Sequence, residues 1–252
     1  MLDVMLRACL HPFDYLGVSR ITKITFKEKI QESNLPAEAS AQAGNIYSFI
    51  FTAPKLPSWQ SGNHALFSFW GEKMQGGNWR AFSVASAPHE GVIRIGTTFP
   101  EQPSDFKRRL LALQPGEKMT MFGPHGEMYV RASTRQIVGI AGGIGITPFR
   151  SIIADLTQKQ SPVKLTLIYS ARDNLYTYKS ELESWQARNP NIEIIYTETP
   201  EEVNAELDKQ IALYQNNAYY FISGPPKMVG SLRDSLKQRG LKKVVCDPFK
   251  GY

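Results

Sequence analysis

The chain has 252 residues, enough for one large domain or two small ones. With 42% hydrophobic and 21% charged residues it has an ordinary globular composition, which excludes wholesale disorder and a fibrous fold. The formal net charge of +6 is spread evenly with no basic tail or block, which argues against nucleic acid and suits an acidic protein or a phosphorylated small molecule.

Two cysteines, Cys9 and Cys246, lie near opposite ends of the chain. A disulfide framework, a zinc ribbon or a thiolate-ligated iron–sulfur cluster needs more thiols at tighter spacing, so redox chemistry here would require an organic cofactor or a partner's metal. His11, His64, His89 and His125 have no metal-ligand spacing and read as turn or surface residues. No apolar run approaches the ~18 residues of a membrane span and no signal-peptide pattern is present, so the expected compartment is the cytoplasm.

In chain order, residues 1–17 form a leader with Leu6, Cys9, Leu10, Phe13 and Tyr15. Packing on the next domain, contact with a membrane protein and a loose segment all stay open for it. Short runs rich in β-branched and aromatic residues follow at 21–26, 46–51, 64–70, 80–85, 92–99 and 118–122. Turn signals separate them, including Ala53-Pro54, Ser61-Gly62, Gly76-Gly77 and Ala87-Pro88, and the segment 37–44 reads as a flexible loop. The spacing predicts a small six-stranded antiparallel barrel or sandwich. One helix interrupts it, with Ser104-Asp105 at its start and Phe106, Leu110, Leu111 and Leu113 on one face. Lys107, Arg108 and Arg109 are expected on its solvated side.

From residue 135 the rhythm becomes strand, helix, strand, helix. Strands at 137–141, 163–169, 192–197, 219–223 and 244–246 alternate with helices near 148–158, 178–188, 201–214 and 226–239. Nearly continuous apolar strands between helices predict a five-stranded parallel, doubly wound α/β sheet. Where the first strand meets the first helix stands Gly142-Gly143-Ile144-Gly145-Ile146-Thr147-Pro148. Glycines there allow close approach of a pyrophosphate, Thr147 can cap the helix, and Pro148 suits its first turn. Because Pro148 replaces the third glycine of the dinucleotide fingerprint, the pattern alone also fits a purely structural turn. In the run Arg80-Ala81-Phe82-Ser83-Val84-Ala85-Ser86, Arg80 and Phe82 share one strand face and suit a ligand with both phosphate and a flat ring. An ordinary strand with a core Phe would read the same way.

Four ordered motifs narrow this choice. The run Arg80 to Ser86 resembles the R-x-Y-S-x-x-S flavin motif of the ferredoxin–NADP⁺ reductase superfamily, with Phe82 in the tyrosine position. Gly123-Pro124-His125-Gly126 is similar to that family's G-P-x-G hinge, and the turn from Gly142 to Pro148 to its G-G-x-G-x-T-P nucleotide motif. Ser223-Gly224-Pro225-Pro226-Lys227-Met228 resembles its late C-G-P-x-x-M motif, with Ser223 replacing cysteine. The resemblance implies a flavin-binding β-barrel domain over 18–134 and an NAD(P)-binding α/β domain over 135–252, with FAD as cofactor.

It further implies that Arg80 holds the FAD pyrophosphate, Phe82 flanks the isoalloxazine, and Ser83 and Ser86 belong to the flavin site. Ile95 and Thr97 would border the flavin, and the helix start at Ser104 and Asp105 would approach the pyrophosphate. Gly142, Gly143, Gly145, Thr147, Pro148, Gly224 and Pro225 would bind the dinucleotide. Ser83 would hydrogen-bond near flavin N5, and Ser223 would stand at the hydride-transfer position against the nicotinamide. Ser170 and Arg172, after the second parallel strand, look like the family's 2′-phosphate positions and favour NADP, with NAD open. At the carboxyl end, Phe249 or Tyr252 would cover the flavin ring until nicotinamide displaces it. The expected activity is an FAD-dependent NAD(P)H oxidoreductase serving an acidic ferredoxin- or flavodoxin-like carrier or a redox partner subunit. A free flavin or ferric reductase and a non-catalytic electron-relay subunit are the alternatives.

Overall fold

The computed structural model describes residues 21–32 and 45–247. The leader, the whole of the loop read at 37–44, and the lid candidates Phe249 and Tyr252 lie outside the described residues.

Six strands form the first sheet: β1 (Ile21–Gln31), β2 (Asn45–Thr52), β3 (His64–Ser68), β4 (Trp79–Ser83), β5 (Ile93–Phe99) and β6 (Lys118–His125). They run in the order β4-β3-β6-β1-β2-β5, and the pairings between neighbours are antiparallel. The sheet curls into a barrel because alternate residues point inward, where Phe26, Phe49, Phe51, Phe67, Phe82 and Phe106 fill one core. Its edge strands β4 and β5 meet just beyond Ser83. Ala85 N donates to Arg94 O at 2.7 Å, and the Ser86 hydroxyl donates to Val92 O while accepting from Arg94 N. Helix α1 (Asp105–Leu111) plugs one end, placing Phe106 and Leu110 in the core.

The second sheet contains β7 (Gln136–Gly142), β8 (Lys164–Ser170), β9 (Ile192–Thr197), β10 (Tyr219–Ser223) and β11 (Val244–Cys246). All its pairings are parallel, in the order β11-β10-β7-β8-β9. Central β7 shows no polar alternation because both of its faces are covered, and every residue in it is buried. Helices α2 (Thr147–Gln158) and α3 (Lys179–Arg188) cover one face, and α4 (Pro200–Tyr214) and α5 (Pro226–Gln238) the other. Thr199 and Glu202 form a capping box that starts α4, while Pro226 supplies a preset backbone angle at the start of α5. The strand order reverses between β7 and β10. Such a reversal opens a crevice at the strands' carboxyl ends, where α/β sheets bind ligands.

The barrel followed by a doubly wound sheet is therefore as expected, with element ends shifted by a few residues. Among the described residues no helix is long and apolar enough to cross a membrane.

Candidate active site

The crevice faces the barrel, and together they enclose a cleft of about 350 Å³. Its barrel wall is Arg80 to Ser83 on β4, Gly96 to Thr98 on β5, and Lys107 from α1. The opposite wall is the turn Gly142 to Gly145, Thr147, and Ser223 to Pro226. Three of the sequence motifs, separated by long stretches of chain, thus meet in one cavity.

Two cations lie at the barrel end of this cleft. Arg80 is buried against the Phe106 ring, its guanidinium carbon 5.3 Å from the ring centroid. Its Nη1 donates to the carbonyls of Gly76, Gly77 and Trp79, which fixes the side chain. Lys107 is only 6% exposed and its Nζ donates to Thr98 O at 2.8 Å. Burial, followed by the charge of Arg80, lowers the pKa of Lys107. Two buried cations lining one cavity repel each other, and an anionic ligand would relieve that repulsion. Phe82 contributes to the wall while its ring packs edge-on to Phe67 at 5.8 Å, joining the cleft to the barrel core.

A carboxylate joins the two walls. Asp247, just after β11 and 5% exposed, accepts from the Ser83 hydroxyl at 2.9 Å and from the Ser223 hydroxyl at 3.2 Å, both on Oδ2. The two serines belong to different sheets. Asp247 N also donates to Ile222 O at 2.9 Å, which fixes the backbone that carries the carboxylate.

Glycine is required where the walls approach most closely. A Cβ on Gly145 would lie 2.3 Å from Ser223 O, and one on Gly96 would lie 2.4 Å from the Tyr178 hydroxyl. Gly143 has a φ of +52°, the left-handed region that opens the short 3₁₀ turn Gly143–Ile146 into α2.

Several sequence-predicted positions have other surroundings. Ser86 closes the barrel seam, and Ile95 packs in the barrel core; neither lines the cleft. Thr147 does not cap α2: it is the first helical residue, and its hydroxyl donates back to Ile144 O at 3.0 Å. Pro148 sits behind it, buried in the first turn. Ser104 is the N-cap of α1, but Ser104 and Asp105 lie outside the cleft lining, and Asp105 accepts from Gln75 N and pairs with Arg108. The helix contributes Lys107 instead. That corrects the expectation of a solvated Lys107, whereas Arg108 is exposed as expected. Ser170 pairs in register with Gly142 at the carboxyl end of the sheet, and Arg172 follows, exposed, beyond the lining. His64 is a partly buried strand residue opposite His125, not a turn histidine, and burial with the His125 charge lowers its pKa to about 4. Among the described residues no group of three or more His, Cys, Asp and Glu could hold a metal ion.

Sequence reasoning missed Asp247, Lys107 and Gly96. Lys107 carried only a weak signal, in that it flanks core residue Phe106 on the helix rather than opposing it. Asp247 carried none, because the contact to Ser83 spans 164 residues.

Two facing sheets with a glycine-lined cleft at the strand-order reversal have the architecture of a nucleotide-binding crevice. Residues 140–234 match the oxidoreductase NAD-binding domain family. The F subunit of the Na(+)-translocating NADH-quinone reductase from Haemophilus influenzae is 31% identical over 199 residues, covering 68% of this chain and 48% of its own. The chain thus spans about half the length of the curated relatives it matches. Among solved structures, a ferredoxin–NADP⁺ reductase from Plasmodium falciparum with 2′P-AMP superposes with a TM-score of 0.75 at 18% identity, covering 91% of this chain and 97% of that one. A cytochrome P450 reductase from Amycolatopsis gives 0.72 at 15% identity, covering 92% and 70%. The chain contains an oxidoreductase NAD-binding domain and has the two-domain fold of the ferredoxin–NADP⁺ reductases.

Proposed function

We propose that the chain is an FAD-dependent NAD(P)H oxidoreductase that passes electrons to a redox partner subunit or an acidic carrier protein. The observation that carries this reading is the cleft itself, with two buried cations at one end and a bridged pair of serines at the other. The residues fit the cofactor: Arg80 and Lys107 suit its diphosphate, Phe82 offers an apolar face, and the wall from Gly142 to Gly145 leaves room for the dinucleotide. A bound flavin supplies acceptance of hydride and release of electrons singly or as a pair.

The chain's own residues orient and exclude. Ser83 and Ser223 commit their protons to Asp247, so each hydroxyl oxygen keeps lone pairs for a ligand N–H. With ligands in place, the mainly apolar lining would exclude water from the space between the walls and strengthen each polar contact there. Serine at 223 keeps a small polar group at the position of the family's cysteine.

Two observations bear on the dinucleotide. Arg172 at the end of β8 supports the 2′-phosphorylated form. The Haemophilus influenzae relative is named for an NADH-quinone reductase, which supports NADH, and its place as one component of that reductase supports delivery to a partner. Stopped-flow mixing of FAD-loaded protein with NADH and NADPH, following flavin bleaching, tests the proposal. Rapid bleaching by either supports a reductase. No bleaching by either means a flavin relay, and a protein that cannot be loaded with flavin ends the reading.

A further inference from the structure

Directly behind the cleft lies a buried ionic cluster that joins the two sheets and takes no part in the chemistry above. Arg150, 2% exposed and one turn into α2, uses all its guanidinium donors. Nη1 donates to Ala85 O at 2.8 Å and to Glu90 at 3.0 Å, and Nη2 to Glu90 at 3.0 Å and to Glu181 at 2.7 Å. Nε completes a second fork on Glu181 at 2.9 Å. Glu90 and Ala85 belong to the barrel side, and Glu181 to α3 on the other.

From the barrel, Arg94 of β5 reaches the same Glu181 at 3.1 Å, with Glu32 at 2.6 Å and the Ser48 hydroxyl at 3.0 Å on its other donors. Tyr178, the N-cap of α3, packs its ring under Arg94 and Arg150 at 4.7 and 5.4 Å and bonds Ser48 through its hydroxyl at 2.9 Å. Burial by itself would raise the Glu181 carboxyl, but Arg150 and then Arg94 hold it below the usual carboxylate range.

Four members of this cluster, Arg150, Ala85, Arg94 and Tyr178, stand close to residues of the cleft wall. Arg150 lies one turn beyond Thr147, Ala85 lies just past Ser83, and Arg94 precedes Gly96, against which the Tyr178 hydroxyl rests. We propose that Arg150 is a positioning residue: together with Glu181, Glu90 and Arg94 it sets the width of the cleft, and so the distance across which the two bound ring systems meet. Ordinary interface glue would affect stability alone. A width-setting cluster also controls transfer across the gap, because a misplacement of ~1 Å can cost ~10²-fold in rate.

This inference rests on the flavin reading, so the test needs a readout independent of turnover. In the full chain with Cys9→Ser and Cys246→Ser, spin labels at Lys27→Cys on β1 and Lys209→Cys on α4 report the distance between the two sheets. Arg150→Met should broaden that distance distribution. In FAD-loaded protein it should slow flavin reduction at saturating dinucleotide by about 10²-fold, leaving FAD binding and KM for dinucleotide within roughly threefold, since each ligand keeps its own wall. Arg150→Lys, which restores the charge without the double fork, should recover part of the rate. A folded Arg150→Met with an unbroadened distance and wild-type reduction rate overturns the proposal. If Arg150→Met does not fold, Glu181→Gln decides by the same two measurements. If wild-type protein is reduced by neither dinucleotide, the reductase reading fails, and the distance measurement alone decides whether the cluster sets the cleft.

Discussion

Alanine at Gly145 tests whether the cleft is a built close approach or merely a turn. The added Cβ would stand 2.3 Å from Ser223 O, 2.5 Å from Ser223 C and 2.6 Å from Gly224 Cα. Ordinary contact begins near 3.4 Å, so the turn and the end of β10 must part by roughly 1 Å. Neither can move easily, because both are backbone and β10 is held in register with β7 up to the Ser223–Ala141 pair. Overpacking costs about 1–3 kcal/mol, and a backbone obstacle places Gly145→Ala at the upper end, near 3 kcal/mol. The same parting moves Ser223 relative to Asp247, so flavin reduction by dinucleotide should slow by ~10–100-fold. Gly143→Ala is the control. It has nothing within 4 Å and adds only the cost of a side chain at φ +52°, about 1–2 kcal/mol; because Gly143 itself lines the cleft, it is the control for stability alone. Urea unfolding of both variants and single-turnover reduction of Gly145→Ala against wild type check the series. A Gly145→Ala protein as stable as Gly143→Ala, or one with an unchanged reduction rate, would refute the reasoning.

Arg80→Ala should weaken FAD binding by about 2–5 kcal/mol, because it removes one partner of a desolvated charge pair; fluorescence titration reads it, and affinity within threefold of wild type counts against the phosphate role. Arg172→Ala should weaken NADPH use by roughly 10–100-fold, the scale of a lost charged hydrogen bond, and leave NADH nearly unchanged; equal losses with both dinucleotides would make Arg172 structural. His64, with a folded pKa of about 4 against 6.5 when unfolded, makes the unfolded chain take up a proton first as pH falls. Stability present above pH 6.5 should therefore be lost between about pH 6.5 and 4, by at most ~3 kcal/mol at 1.36 kcal/mol per unit, and His64→Asn should flatten that part of the profile. Parallel urea-derived profiles for the two proteins would assign the loss to other groups.

The fold was largely legible because it rests on periodicity. Runs rich in β-branched and aromatic residues between turn signals, as at 46–51 and 118–122, announced barrel strands, and the unbroken apolar run at 137–141 announced a strand covered on both faces. The wall residues Arg80, Phe82, Ser83, Gly142, Gly145 and Ser223 were legible because local motifs carry them. What local reading missed depends on contacts distant in sequence. Ser86 looked like part of a ligand motif, yet its hydroxyl meets the backbone of Val92 and Arg94 across the barrel seam, a partner that no spacing rule supplies. Lys107 looked solvated because a charge run on a short helix usually is; the close approach of Thr98 and Arg80 buries it instead. Glu181 and Arg150, which carry the sheet-to-sheet cluster, read as an ordinary helix glutamate and arginine until α2, α3 and the barrel seam are brought together.

The order of charges along β4 gives the cleft a direction. Arg80, with Lys107 beside it, opens the strand segment, and Ser83 with the Asp247 carboxylate closes it, roughly 10 Å apart at about 3.3 Å per strand residue. A ligand lying along the strand would place its most anionic part at the cationic end, since a phosphate near Asp247 would meet a buried carboxylate with little solvent to screen it. Its uncharged ring would then lie against Ser83, opposite Ser223, which Asp247 ties to the same point from the other sheet. Reversing the ligand would cost at both ends. One carboxylate thus serves two purposes. It draws the hydroxyls of two sheets to a single site, and it would repel a phosphate from that site, so the charges that align the walls would also select the orientation in which a ring enters between them.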